Sequence, residues 1–244
     1  MGSVIVAFSG GVDSTLLLKT AHDVLGDRVM AVTVNSPLIP KREIKSAKSA
    51  ANIIGCRHQI IDVEILNINE IKNNSKERCY YCKKEIFSKL LEFKNKYNFS
   101  CIADGTNYDD LNVIRPGLKA LKELGVRSPL AESGLTKKDI RKYLKVLGLP
   151  TWNRPPLACL ASRIPYGEEI TTAKLKKIDD CENYLLSLGF NQVRVRYYFP
   201  AARIEVGEDE INKITGSKLR EKILTKFKEL GFKYVTVDLE GYKN

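Results

Sequence analysis

Long apolar runs are missing from this chain of 244 residues. No stretch approaches the roughly 18 apolar residues needed to cross a bilayer, so a membrane partner is not expected. The first core-like run, Val4-Ile5-Val6-Ala7, begins almost at once and leaves no room for a secretory leader. A cytoplasmic location is therefore expected. Internal repeats and low-complexity segments are absent too, which excludes solenoids and disordered tails. The six cysteines, Cys56, Cys79, Cys82, Cys101, Cys159 and Cys181, are not expected to form a disulfide framework in a cytosolic chain of this size. The zinc-ribbon arrangement of several C-x-x-C pairs is missing. Acidic residues fall short of basic ones, giving a net charge of +11. From Gly167 onward, 14 Lys and Arg nearly balance 13 Asp and Glu. The basic excess therefore lies before Gly167, where it suits a small anionic ligand or a solvated face, and a nucleic-acid partner is not expected.

The densest information is in Ala7-Phe8-Ser9-Gly10-Gly11-Val12-Asp13-Ser14. An apolar run precedes it and a helical pattern, Thr15 to Leu25, follows. Paired glycines let backbone amides turn inward, Ser14 is a candidate helix cap, and the positive helix end faces the turn. That makes a cradle for phosphate. The Lys of a Gly-x-x-x-x-Gly-Lys-Ser/Thr loop is missing, which excludes a Walker A site. The segment resembles the PP-loop of ATP pyrophosphatases, which cleave ATP to AMP and pyrophosphate while activating a substrate oxygen.

Strands and helices alternate through the first part. Strands are expected at Val4 to Phe8, Val29 to Asn35, Arg57 to Val63 and Cys101 to Gly105. Helices are expected at Lys41 to Ile54, Glu77 to Tyr97, Ile114 to Leu124 and Thr136 to Leu147, with Thr136 as a cap. This alternation predicts an α/β fold, a doubly wound parallel sheet of Rossmann-like type. Ligands bind at the carboxyl ends of such strands, so the phosphate loop and the turn Asp104-Gly105-Thr106-Asn107 should share one crevice. Thr151 to Gly167, with Pro155, Pro156 and Pro165, reads as an extended linker. Beyond it the order changes to a helix at Thr172 to Leu188, strands at Val193 to Tyr198 and Ala202 to Val206, a helix at Ile211 to Leu230, and a strand at Tyr234 to Leu239. A smaller α+β domain is expected. The boundaries read as 1–166 for the ATP-binding domain with its linker and 167–244 for a substrate-binding or oligomerisation domain.

Cys79-Tyr80-Tyr81-Cys82 places two thiols at the start of a long helix, where Arg78, Lys83 and Lys84 favour thiolates. One pair is too few for a structural zinc. Cys159, in the Pro-rich segment, is the natural third member. Three thiolates on a [4Fe–4S] cluster would leave one iron open to carry a sulfide. A zinc site completed by His58 or water, and three unrelated thiols, are the alternatives. Cys56, Cys101 and Cys181 read as core fillers.

Read together, these motifs resemble the LarE family, ATP-dependent sulfur transferases of nickel-pincer nucleotide biosynthesis. The matching runs include Phe8 to Ser14, Arg78 to Lys83, Asp104 to Asn107, Arg115-Pro116-Gly117, Ser128 to Glu132 and Gly134 to Lys137. They continue through Cys159-Leu160-Ala161-Ser162-Arg163-Ile164-Pro165-Tyr166-Gly167, Arg194-Val195-Arg196 and Ala202 to Val206. The Cys159 run and the Arg-Val-Arg strand are the most specific. Where many members carry a His-containing turn after that strand, this chain has Tyr197-Tyr198-Phe199-Pro200.

The resemblance implies an enzyme that adenylates the carboxylates of pyridinium-3,5-biscarboxylic acid mononucleotide with ATP and Mg²⁺, then converts them to thiocarboxylates. Sulfur would come from a [4Fe–4S] cluster on Cys79, Cys82 and Cys159, or from Cys159 itself as a sacrificial donor. Ser9, Gly10, Gly11, Val12 and Ser14 would hold the pyrophosphate. Asp13 would place Mg²⁺, and Asp104, Thr106 and Asn107 would meet the nucleotide. Arg194 and Arg196, two apart on a strand and so on one face, would bind the substrate, with Glu205 orienting them. Arg163 would guide the anionic substrate towards sulfur. Glu132 and Lys137 read as caps and solvated charges. A homo-oligomer is implied. A tRNA thiolase and a non-catalytic nucleotide sensor with a structural metal remain alternatives.

Overall fold

The computed structural model describes residues 2–112, 116–156 and 158–243. It divides into two compact units, one of residues 2–71 and 76–156, the other of residues 72–75 and 158–243. The division falls earlier than the expected boundary after residue 166. Asn74 shows why: its side-chain amide donates to the carbonyls of Ile164 and Pro165 at 3.1 and 2.7 Å, and its own carbonyl accepts from Gly167 N at 3.1 Å. That pins the segment after Cys159 into the second unit.

The first unit runs β1 (Val4–Ala7), α1 (Val12–Leu25), β2 (Val29–Asn35), α2 (Lys41–Ile54), β3 (His58–Asp62), α3 (Arg78–Lys96), β4 (Cys101–Ala103), α4 (Pro116–Glu123) and α5 (Lys137–Val146). The strands form a parallel sheet in the order β3-β2-β1-β4, with Val4 opposite Val29 on one side and Cys101 on the other. Alternation along β1 sends side chains to opposite faces. Val4 and Val6 join Leu18 of α1, Ala47 and Ala51 of α2, and Ile140 and Leu144 of α5. Ile5 joins Phe87 and Leu90 of α3 and Leu121 of α4. Both faces are thus covered, as a parallel sheet requires. Ala103 also bridges Arg127 in parallel, extending the sheet by one short pairing.

The second unit contains α6 (Thr172–Ser187), β5 (Val193–Tyr198), β6 (Ala201–Val206), α7 (Ser217–Glu229) and β7 (Tyr234–Val237). β6 lies between antiparallel β5 and parallel β7. Val193, Val195, Ile204 and Val206 are buried, as are Ile178 and Leu185 of α6 and Phe227 of α7.

Several local expectations are corrected. The helix expected from Ile211 to Leu230 breaks at Gly216, whose extended backbone separates a short helix, Ile211–Thr215, from α7. Thr215 Oγ1 donates back to Ile211 O at 3.1 Å, drawing a carbonyl out of the continuing ladder. β4 ends at Ala103 rather than Gly105, and the next bond, Asp104 N to Arg127 O at 2.9 Å, belongs to the Ala103–Arg127 bridge. The linker expected to be extended contains two 3₁₀ turns, Pro150–Asn153 and Leu160–Arg163. The expected start of α4 at Ile114, and Arg115, lie outside the described residues. No helix among the described residues is long and apolar enough to cross a membrane.

Candidate active site

The turn after β1 is shaped by a glycine with no substitute. Gly10 has φ +70°, and a Cβ there would stand 2.7 Å from Ala47 Cα of α2. Gly11 is the N-cap of α1 and Ser14 lies within the first turn. Ser14 is therefore not the cap. Its hydroxyl donates to Gly11 O at 3.3 Å, accepts from Ser9 N at 3.3 Å, and lies 3.1 Å from Ser9 Oγ. Two hydroxyls and the free amides of α1 thus converge on one turn. Arg154 clamps it from behind, donating to Gly10 O and Glu43 Oε2 at 2.7 Å each.

The turn after β4 closes on the same place. Gly105 packs so tightly that a Cβ would meet Ser14 N at 3.0 Å. Asn107 donates to Asp13 Oδ1 at 3.2 Å. Lys137, at the start of α5, places its ammonium on Asp13 Oδ2. Asp104 is buried and accepts from Thr106 Oγ1 and Ser128 Oγ, both at 2.6 Å. A cavity of about 240 Å³ is lined by Ser9, Asp13, Ser14, Asp104, Gly105 and Thr106, together with Lys83 and Phe87 of α3. The two expected turns therefore share a crevice at the carboxyl ends of β1 and β4.

Lys137 was expected to be a solvated charge, yet it sits on the loop aspartate. Thr136 directs it: a capping box with Asp139 fixes the start of α5. A pairing across 124 residues has no local sequence signal. Arg154 on Gly10 and Ser128 on Asp104 likewise pair across long stretches of chain.

A second constellation belongs to the second unit. Arg194 faces Glu205 across β5 and β6, and Arg196 faces Arg203. Buried Glu205 accepts from Arg194 at 3.2 Å, Arg196 at 2.7 Å and Arg203 at 3.2 Å. Arg203 also pairs with Asp238 at 3.3 Å, so three guanidiniums meet two carboxylates and the cluster keeps a net positive charge. Arg194 also stacks on Tyr242, with Cζ 4.1 Å from the ring centroid, and donates to its hydroxyl at 2.8 Å.

Arg163 lies in the interior of the second unit. It is 5% exposed and Glu182 is fully buried. The pair meets through two bonds, of 2.8 and 3.2 Å, and Arg163 Nη1 donates to the carbonyls of Ala158 and Cys159 at 3.0 and 3.1 Å. Burial opposes its charge, but the Glu182 carboxylate outweighs that and holds its pKa above the usual arginine value. Its fork is spent on Glu182 and on the Cys159 turn.

All six cysteines are thiols. Cys56 and Cys181 are buried, and burial pushes the Cys181 thiol up to about 12. Cys101 is only half-buried. Cys79 and Cys82 lie one turn apart in α3, in the first unit, whereas Cys159 belongs to the second. Among the described residues no three of His, Cys, Asp and Glu form a group that could hold a metal ion.

The family profile of the queuosine biosynthesis protein QueC matches residues 3–101. The chain is 40% identical over 242 residues to the pyridinium-3,5-bisthiocarboxylic acid mononucleotide synthase of Lactiplantibacillus plantarum, covering 99% of this chain and 87% of that protein. It is 42% identical over 240 residues to an uncharacterized protein of Synechocystis sp., covering 98% and 90%. An uncharacterized protein of Methanocaldococcus jannaschii is 38% identical over 242 residues, covering 99% and 91%.

Proposed function

Because this chain belongs to the LarE family of PP-loop sulfur-transferring synthases, we propose that it makes pyridinium-3,5-bisthiocarboxylic acid mononucleotide from the corresponding dicarboxylate. The observation that carries this reading is the end-to-end likeness to the synthase, joined to a phosphate turn built around Gly10, Ser9, Ser14 and Asp13.

In the proposed reaction a substrate carboxylate oxygen attacks the α-phosphorus of ATP. The bond from that phosphorus to the bridging oxygen breaks and pyrophosphate leaves. Hydrosulfide then attacks the acyl carbon, the bond to the AMP oxygen breaks, and a thiocarboxylate remains. The cycle repeats on the second carboxylate. The amides of Gly10, Gly11 and Val12 and the hydroxyls of Ser9 and Ser14 hold the leaving pyrophosphate, stabilising charge as it develops. Asp13 is the oxygen donor suited to Mg²⁺. Asp104, Thr106 and Asn107 shape the nucleotide end. Arg194 and Arg196, oriented by Glu205, bind the anionic mononucleotide by their forks.

The sulfur source is the finer part of the proposal. Cys79, Cys82 and Cys159 are assigned as ligands of a [4Fe–4S] cluster. The support is the donor chemistry, three thiols with two at the start of one helix. When bound, such a cluster supplies an iron-held sulfide to the acyl adenylate. Arg163 keeps Cys159 in its turn.

Release of AMP is the direct test of the first step. AMP and pyrophosphate should appear only when ATP, Mg²⁺ and the dicarboxylate mononucleotide are all present. AMP released instead with tRNA as acceptor would overturn the substrate assignment. Iron and acid-labile sulfide measured on anaerobically purified protein test the cluster. About four irons per chain support it, and iron-free protein that resists reconstitution leaves Cys159 as a one-use donor.

A further inference from the structure

The cavity beside the phosphate turn contains a cation that the proposed reaction has not used. Lys83 of α3 lines it together with Ser9, Ser14 and Asp104. Its neighbours in charge are already committed. Lys84 donates to Tyr80 Oη at 3.2 Å and lies 3.7 Å from Glu123. Lys137 sits on Asp13. The three carboxylates that line the cavity with it have other partners: Asp104 accepts from Thr106 and Ser128, Asp13 from Asn107 and Lys137, and Asp110 from Asn107 N at 3.2 Å. Among the described residues Lys83 makes no ion pair.

The path of its side chain is nevertheless fixed. Its ammonium stands 5.0 Å from the ring centroid of buried Phe87, a contact that orients a cation without neutralising it. Its stem crosses Gly117 of α4, where a Cβ would meet Lys83 Cγ at 3.0 Å. A glycine there leaves room for the lysine to reach the cavity. An ammonium positioned without an ion pair, in a cavity shared with two loop hydroxyls, is suited to an anion of high charge density.

We infer that Lys83 is a further catalytic residue, binding the β- and γ-phosphates of ATP and neutralising the pyrophosphate as it leaves. The inference rests on the reading of this cavity as the ATP site. It also gives α3 two tasks, with Cys82 and Lys83 adjacent in the chain.

Calorimetric titration of the full chain with Mg-ATP, Mg-pyrophosphate and AMP tests it, using wild type, Lys83→Met and Lys83→Arg. A charge-assisted hydrogen bond predicts that Lys83→Met weakens ATP and pyrophosphate about tenfold to hundredfold, leaves AMP unchanged, and is partly rescued by Lys83→Arg. Wild-type affinity for ATP and pyrophosphate in Lys83→Met overturns the assignment of Lys83 alone. So does an equal loss of AMP binding, which marks a collapsed pocket. A wild-type chain that binds neither ATP nor pyrophosphate overturns the ATP-site reading and this assignment with it.

Discussion

Arg163 and Glu182 form a buried two-pronged ion pair, and the same arginine holds the carbonyl of Cys159 at 3.1 Å. Glu182 Oε1 also accepts from Val195 N at 3.1 Å. One carboxylate thus ties α6, β5 and the cysteine turn together. Removing one partner of a buried pair leaves an uncompensated charge and costs about 3–5 kcal/mol. Glu182→Ala should lower the unfolding free energy by that order in urea denaturation. The double variant Glu182→Leu with Arg163→Met should recover much of the loss while still disturbing sulfur transfer. A Glu182→Ala protein as stable as wild type contradicts the role given to the pair.

Asp13 is held by Lys137 and Asn107 in a part-exposed setting, so its removal should spare the fold. Asp13→Asn is expected to change the melting temperature little while reducing AMP formation at least a hundredfold, consistent with a loss of Mg²⁺ placement. Parallel thermal melts and AMP assays check this. Retained turnover would remove Asp13 from the chemistry.

Gly10→Ala should damage the phosphate turn through two independent causes. Its φ of +70° disfavours any side chain, and Ala47 Cα lies 2.7 Å from the new Cβ. Strain of this kind costs on the order of 1–3 kcal/mol. The expected readouts are a lower melting temperature and ATP affinity reduced at least tenfold in the same variant.

Arg194→Ala and Arg196→Ala should separate the two ligands. Both residues lie in the second unit, on the Glu205 carboxylate. The KM for the mononucleotide should rise at least tenfold with ATP affinity unchanged in titration. An equal loss of ATP affinity contradicts the division of labour.

Acid should destabilise the chain through His58. Burial first, and Lys48 second, lower its pKa below the ordinary histidine value. Its Nε2 lies 2.8 Å from Thr33 Oγ1, whose hydroxyl donates to Phe8 O at 2.7 Å. The unfolded chain therefore binds this proton more readily. The contribution is fully present above the unfolded pKa of roughly 6.5 and is lost as pH falls through the lower folded pKa. Melting temperature followed from pH 7.5 downward should fall more steeply in wild type than in His58→Gln. Identical slopes would contradict the assignment.

The sequence made much of this legible where chemistry is local. The paired glycines, the alternating strands and the Thr136 cap each announce themselves within a few residues, and the structure contains the parallel sheet they imply. What stayed hidden depends on residues distant in the chain. Lys137 reads as a solvated charge until α5 is packed beside α1. The bond from Arg163 to buried Glu182, 19 residues on, has no local signal. The Arg194, Arg196 and Glu205 pattern was visible from strand period and register, whereas Tyr242 on Arg194 was not, since nothing local links positions so far apart.

Mass spectrometry of the reaction product tests the central claim most directly. The protein would be incubated anaerobically with ATP, Mg²⁺, sulfide and pyridinium-3,5-biscarboxylic acid mononucleotide. Replacement of one and then two carboxylate oxygens by sulfur, with AMP released at each step, is the predicted result. Recovery of unmodified dicarboxylate from a protein that binds ATP and the mononucleotide would contradict it.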